Sequence, residues 1–397
     1  VSGAQSLSVA RTRVCVALLV VLGFTLGCSE FIIIGITPQI AADYGVGLSQ
    51  VGVLISVFAV TYAFVTPTLA LTTGRFKRFH LLIAYCIVFC LGNLLSLIAP
   101  NFEVLLISRI LIGSVSGALL AVGVTFIPEL LGPSKVSMAI SVIYAAFSVA
   151  MVIATSAGKM IADTWNWHVD MAIVLVLCVV VCAVMIALMP REGATDVPAT
   201  FREQAVLLKQ PCVLVGMAVF MFAVGAIYVF YGYVTPYFID VLGMGNVEAS
   251  MALMAYGAVT FFSNLLSGWA DSKFGVKALI PLFIVDAAVL LGLYFATPKM
   301  PESLILIFAI GLLMYVQSVP CISMFMHTAN SKCPKALTLA SSLEPVSFNV
   351  GIAFGTAVGG LVVEGPGMHC AGLVGSGLSL IGLALAFVML HLVKRSR

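Results

Sequence analysis

Long apolar runs separated by short polar turns account for nearly the whole chain. Read by length, they predict helices at about 14–40, 50–72, 80–99, 103–128, 137–162 and 169–189. After a polar break come runs at about 212–239, 248–270, 278–297, 303–328, 337–363 and 371–392. Each is long enough to cross a hydrocarbon core of roughly 30 Å as a helix. Gly45-Val46-Gly47, Ala99-Pro100-Asn101, Gly132-Pro133, Thr297-Pro298 and Gly365-Pro366-Gly367 supply the turns between them. The pattern predicts an all-α polytopic membrane protein of twelve transmembrane helices. Residues 1–189 form an N-terminal six-helix bundle, 190–210 a cytoplasmic linker, and 211–397 a C-terminal six-helix bundle.

A constant offset relates the two parts. Gly27, Thr37 and Pro38 fall on Gly225, Thr235 and Pro236, and Gly113 falls on Gly311. At the same offset Glu30 becomes Tyr228, so the two copies differ at a position where chemistry would sit. A parallel repeat of two six-helix halves places a substrate site between the halves near the midplane.

Composition agrees, with 62% hydrophobic and only 9% charged residues. Placement of charge adds more. Of the 19 Lys and Arg, all but Arg109, Lys159 and Lys299 fall on one side if the N-terminus is cytoplasmic. By the positive-inside rule both termini are cytoplasmic, and the chain sits multi-pass in the cell membrane. The basic clusters are topology anchors, with no nucleic-acid partner implied. The first apolar run is too long for a signal-peptide core and carries Glu30, so it reads as a retained helix. The ten cysteines make no disulfide framework. Cys86/Cys90 and Cys178/Cys182, one helical turn apart, read as small apolar filler rather than a metal pair.

Several motifs carry a family resemblance. Gly268-Trp269-Ala270-Asp271-Ser272-Lys273-Phe274-Gly275-Val276-Lys277 resembles the loop signature between the second and third helix of a major facilitator half. Arg109-Ile110-Leu111-Ile112-Gly113, running on to Gly117, is similar to the fourth-helix signature of proton-coupled members. Ser29-Glu30-Phe31, with Gly35 and Pro38, resembles the first helix of the drug:proton antiporter-1 branch. Within that branch the chain is similar to the bacterial sugar-efflux (arabinose-efflux-like) permeases; Gly92-Asn93-Leu94 and Asn349-Val350-Gly351 point the same way. The resemblance implies the major facilitator fold, with a cytoplasmic latch formed by Gly268, Asp271, Lys273, Gly275, Lys277 and Arg75. Two departures stand out. The first-half loop has Thr73 and Lys77 where the signature has Asp and Gly. The fifth-helix antiporter signature is largely missing, with Ser156 where its proline is expected. Because that signature goes with export, the direction of transport stays open.

No G-x-x-x-x-G-K-[ST] loop occurs, and neither a catalytic Ser/His/Asp set nor a metal cluster is apparent. The chain therefore reads as neither an enzyme nor a nucleotide-driven pump. It needs no cofactor, and the proton gradient is its energy source. Glu30, Arg109, Asp286 and Glu344 are the ionisable groups deep within helices. At 1.5 Å per residue, Glu30 and Arg109 fall in the outer half of the first repeat, and Asp286 and Glu344 nearer the inner side of the second. A carboxylic acid stripped of water favours its proton, and a neighbouring arginine opposes this. A Glu30–Arg109 pair that opens during transport would be a proton switch; a static buried ion pair is the alternative. Asp286 reads first as structural, because the resemblance makes the ninth helix peripheral, and Glu344 reads also as a substrate contact. Lys159 and Asp163 are read as a local pair whose lysine snorkels outward.

Tyr228, Tyr231 and Thr235 share one face of the seventh helix, and Met314, Gln317 and Cys321 one face of the tenth. By family analogy they line the substrate cavity, and aromatic walls with few polar groups suit a small amphipathic solute. Gly113 and Gly117, and Gly351, Gly355 and Gly359, make smooth stripes suited to sliding or to static packing. The leading expectation is a monomeric, proton-coupled exporter of drug-like or sugar-like solutes working by alternating access. A proton symporter or facilitator for uptake, a lipid flippase of the same fold, and a non-transporting sensor are the alternatives.

Overall fold

The computed structural model describes residues 9–73, 76–131, 136–191, 201–332 and 337–396. Among the described residues six long helices lie before residue 190, called here the first half: α1 (Val9–Gly35), α2 (Leu48–Thr73), α3 (Arg78–Leu97), α4 (Phe102–Val124), α5 (Val136–Thr164) and α6 (Trp167–Leu188). Six more follow, called the second half: α7 (Pro211–Tyr231), α8 (Asn246–Phe274), α9 (Leu279–Ala296), α10 (Met300–Leu313 with Ser318–Lys332), α11 (Leu337–Glu364) and α12 (Ala371–Ser396). Among the described residues, 11 stretches are long and apolar enough to span a membrane. One of these, Asn246–Ala296, is 51 residues long and holds both α8 and α9. The protein is an all-helical, multi-pass membrane protein.

Polar punctuation ends the helices where the sequence places it. Asn101 and Asn166 cap α4 and α6, their side chains accepting from Val104 N and Val169 N. Gly45 closes the short helix Thr37–Tyr44 at φ 64°. Gly275, ending α8, adopts φ 56° and ψ −142°, a conformation that side chains with a Cβ avoid. This backbone requirement accounts for the second glycine of the loop motif.

In the first half α1 packs on α5 and α6, α2 on α4, and α3 on α4 and α6. In the second, α7 packs on α11 and α12, α9 on α12, and α8 on α10. The halves meet where α2 lies on α11 and α5 on α8. Both glycine stripes work inside a half. Gly113 approaches the Phe58 carbonyl and Gly117 the Tyr62 ring, both on α2. Gly351, Gly355 and Gly359 approach Val224, Gly225 and Val229 on α7. They are seats for close backbone contact within each bundle, not the surface on which the halves slide.

One end of the bundle carries the start of α1, the end of α12 and most of the basic residues among those described, and is called here the basic end. The other, with the turns at 45–47, 99–101 and 365–367, is the far end. Helix α10 departs from the continuous helix expected at 303–328, since it unwinds over Met314–Gln317 near its middle. Ser263 and Ser267, one turn apart on α8, repair the break. Ser263 Oγ accepts from Tyr315 N at 2.8 Å. Ser267 Oγ accepts from Val319 N and donates to the Val316 carbonyl, both at 3.0 Å. Freed backbone groups in a membrane interior need such partners.

Candidate functional site

Arg109 is 2% exposed and reaches from α4 to α1. Its two terminal nitrogens donate to the Ser29 carbonyl at 2.7 Å and the Glu30 carbonyl at 3.0 Å. Its guanidinium lies 4.6 Å from the centre of the Phe58 ring. The expected side-chain ion pair with Glu30 is not closed; among the described residues the ion pair present is Lys159–Asp163. The carbonyls sit near the C-terminal, partially negative end of α1, which gives the arginine an alternative anionic partner. Beside this clamp, Ser29 Oγ donates to Asn93 Oδ1 at 2.8 Å, and Asn93 Nδ2 donates to the Phe89 carbonyl. Two sequence motifs thereby meet across α1 and α3.

Glu30 is 8% exposed and lies within electrostatic range of Arg109 on its own side. On the other side it lies within range of Tyr228 and Tyr315, both from the second half. Tyr228 packs edge-on to Tyr231 with ring centres 5.3 Å apart, and Tyr231 stacks on Tyr256 at 5.0 Å. Tyr315 stacks on Phe348 at 5.6 Å and donates to Met151 Sδ on α5 at 3.2 Å. The Tyr228 hydroxyl is buried and has no hydrogen-bond partner. Glu344, half-buried on α11, lies beside Ser318 and within range of Tyr315. One carboxylic acid from each half therefore flanks an aromatic group at the surface where the halves meet.

The predicted face of α7 does turn toward the first half. Tyr228 lies within electrostatic range of Glu30, Tyr231 lies beside Thr155, and Thr235 Oγ1 donates to the Ile34 carbonyl at 2.7 Å. Thr235 is thus part of the far-end closure. On the predicted face of α10, Met314, Gln317 and Cys321 are buried, with Met314 and Gln317 bonded within their own half. Met314 Sδ takes the Tyr256 hydroxyl, Gln317 Nε2 bonds the Met314 carbonyl, and Cys321 is fully buried. Unwinding at 314–317 shifts the phase of the helix, so Tyr315, which spacing alone passes over, takes the interfacial place. Gly311 and Pro320 flank the break and were the sequence signal for it.

At the far end the halves are closed. The Tyr233 ring wedges against Gly52 of α2 and Gly359 of α11, and its hydroxyl donates to the Thr356 carbonyl at 3.1 Å. Lys159, fully buried, pairs with Asp163 at 2.5 Å and donates to Asn246 Oδ1 in the second half at 3.1 Å. Gln39 completes the group by donating to Asp163. The lysine does not snorkel, because the N-terminus of α8 covers it. Ser56 to Ala353 and Asn264 to Ser148 join the halves nearer the middle. Among the described residues the hydrogen bonds between halves run from the far end to just past the midplane.

Near the basic end Asp271 accepts from Ser323 Oγ at 2.7 Å, a tie between α8 and α10 within one half. Lys273 lies over the Trp269 and Phe274 rings, at 5.2 and 5.4 Å from their centres, instead of pairing with Asp271. Gly268 faces open space, and Lys277 lies in the single turn Gly275–Ala278. Arg75 lies outside the described residues. A hollow of about 680 Å³ lined by Asp271, Ser323 and His327 opens here within the second half, off the path between halves. Asp170 was missed by the sequence reading because it stands in the first turn of α6. It is 5% exposed, against Gly158, with Oδ2 unpartnered.

A profile described as Major Facilitator Superfamily matches residues 19–332. An uncharacterized MFS-type transporter, YtbD of Bacillus subtilis, is 26% identical over 92% of this chain and 92% of its own. The putative transporter AraJ of Escherichia coli is 25% identical over 86% of this chain and 85% of its own. A probable sugar efflux transporter of Pasteurella multocida is 24% identical over 91% of this chain and 89% of its own. Among solved structures, a bacterial homolog of the human lysosomal transporter Spinster, inward-facing and occupied, superposes with a TM-score of 0.81 at 15% identity, covering 98% of both chains. The D-xylose-proton symporter gives 0.74 at 15% identity over 94% of this chain and 96% of that one.

Proposed function

The chain belongs to the Major Facilitator Superfamily, and on that premise we propose that this secondary transporter is a proton-coupled exporter of small organic solutes at the cell membrane. One observation carries the reading: buried Glu30, from the first half, lies within electrostatic range of Tyr228 and Tyr315 of the second, and among the described residues no ion pair is closed on it. When the halves rock apart, that acid must exchange an aromatic, dry environment for a wetter one. Such a change alters how firmly it holds a proton.

The basic end is taken as cytoplasmic by the positive-inside rule, and the rocking bodies as residues 1–189 and 211–397. The closed far end then corresponds to an inward-facing state that admits solute from the cytoplasm. The relatives named as sugar efflux transporters favour a sugar-like or drug-like solute and the outward direction. Aromatic faces around Tyr228 and Tyr315 suit either.

Uptake by proton symport is the second reading, and Ser156 is what favours it. Where the export signature has proline, Ser156 donates to the Val152 carbonyl at 2.6 Å, and α5 runs unbroken. Proteoliposomes with an imposed pH gradient and a panel of radiolabelled sugars and organic amines separate the two. Solute moving opposite to the proton supports export. Solute accumulating in the direction of proton flow overturns it.

A further inference from the structure

Asp286 on α9 is 3% exposed and lies inside the second half, away from the surface where the halves meet. Ser379 on α12 donates to its Oδ2. Oδ1 is buried and without a partner. Beside it is a void of about 10 Å³ whose walls are the apolar side chains of α7, α9 and α10, together with the amide of Gln317. We propose that Asp286 is a protonated acid with one water molecule seated between its free oxygen and Gln317, a proton site within the second half.

Three observations support this assignment. The void matches the lower bound of roughly 10–15 Å³ that holds a single water with polar neighbours. Gln317 spends its Nε2 on the Met314 carbonyl at 2.6 Å, which leaves Oε1 as an acceptor. The groups facing Asp286 are Ser379 from α12, Gln317 from α10, Tyr256 from α8 and the apolar residues Ala223 and Ile227 from α7. Among the described residues none of these is a cation, and a buried carboxylate without one is strongly disfavoured. With Asp286 neutral, Ser379 O–H goes to Oδ2, Asp286 O–H to the water, and one O–H of the water to Gln317 Oε1.

The site's location gives it a consequence. Gln317 belongs to the unwound turn of α10 that Ser263 and Ser267 hold open. Two residues earlier in the same turn, Tyr315 touches Met151 of the first half. Proton binding at Asp286 is therefore joined to the solute path through one short turn. The site is distinct from Glu30, and its test does not depend on the role proposed for Glu30.

Infrared spectroscopy of the protein in lipid at neutral pH tests the proposal through the C=O stretch of protonated carboxylic acids. Asp286→Asn is expected to remove one such band, while Glu30→Gln leaves that band in place. Gln317→Leu, which fills the void, is expected to keep the band and move it to higher frequency as the water link is lost. Ser379→Ala is expected to move it as well. If Asp286→Asn removes no protonated-acid band, Asp286 is ionised and the proposal fails. An unmoved band in Gln317→Leu overturns the water link, and that variant serves alone should Asp286→Asn not fold.

Discussion

Lys159 Nζ lies 3.1 Å from Asn246 Oδ1, a hydrogen bond that ties α5 of the first half to α8 of the second at the far end. Among the described residues the lysine has no other partner across that seam, and its charge is already balanced by Asp163 on its own helix. Opening the far end must therefore break this bond but need not separate the ion pair. Asn246→Ala is expected to remove about 1.5–3 kcal/mol from the closed state, the range for a hydrogen bond to a charged group. The far-open population should rise by roughly tenfold or more. Spin labels at residues 47 and 366 should show a longer distance gaining weight. An unchanged distribution would argue against a latch at Lys159.

Gly355 sits where a Cβ would meet the Gly225 backbone, whereas a Cβ at Gly268 would meet nothing. Gly355→Ala should destabilise the second half by about 1–3 kcal/mol, as overpacking does. Gly268→Ala should leave the melting temperature unchanged. Thermal unfolding in detergent checks both, and equal melting temperatures would mean that the α7–α11 contact yields more easily than its geometry implies.

Arg109 bonds two successive carbonyls of α1 and covers the Phe58 ring. A planar fork does this, and a single ammonium does not. Arg109→Lys is thus expected to behave as a loss of function, with protein stability lowered by roughly 1–3 kcal/mol. Wild-type stability and transport in Arg109→Lys would show that charge alone suffices there.

The positions of α1–α12 were legible because a membrane-spanning helix needs a long apolar run and turns need polar breaks, as Asn101 and Gly45 show. Depth along a helix was legible too, so Glu30 and Arg109 were placed in one layer. Direction was not. Rise per residue says nothing of whether Arg109 turns to a carboxylate or to carbonyls. Spacing on α10 assumed a continuous helix, whereas Met314–Gln317 is unwound. Lys159 looked free to snorkel until α8, nearly ninety residues on, was seen to cover it. The glycine stripes pointed to close packing, but which helix each one meets is a property of the assembled bundle.

Proton movement in Glu30→Gln tests the central claim most directly. Wild type and variant are reconstituted in liposomes with a pH-sensitive dye inside, and solute and proton fluxes are followed together for a sugar or amine that the wild type carries. Glu30→Gln should abolish uphill movement and its accompanying proton flux while exchange of solute across the membrane continues. Accumulation against a gradient with wild-type proton movement would contradict the account and make Glu30 a structural residue.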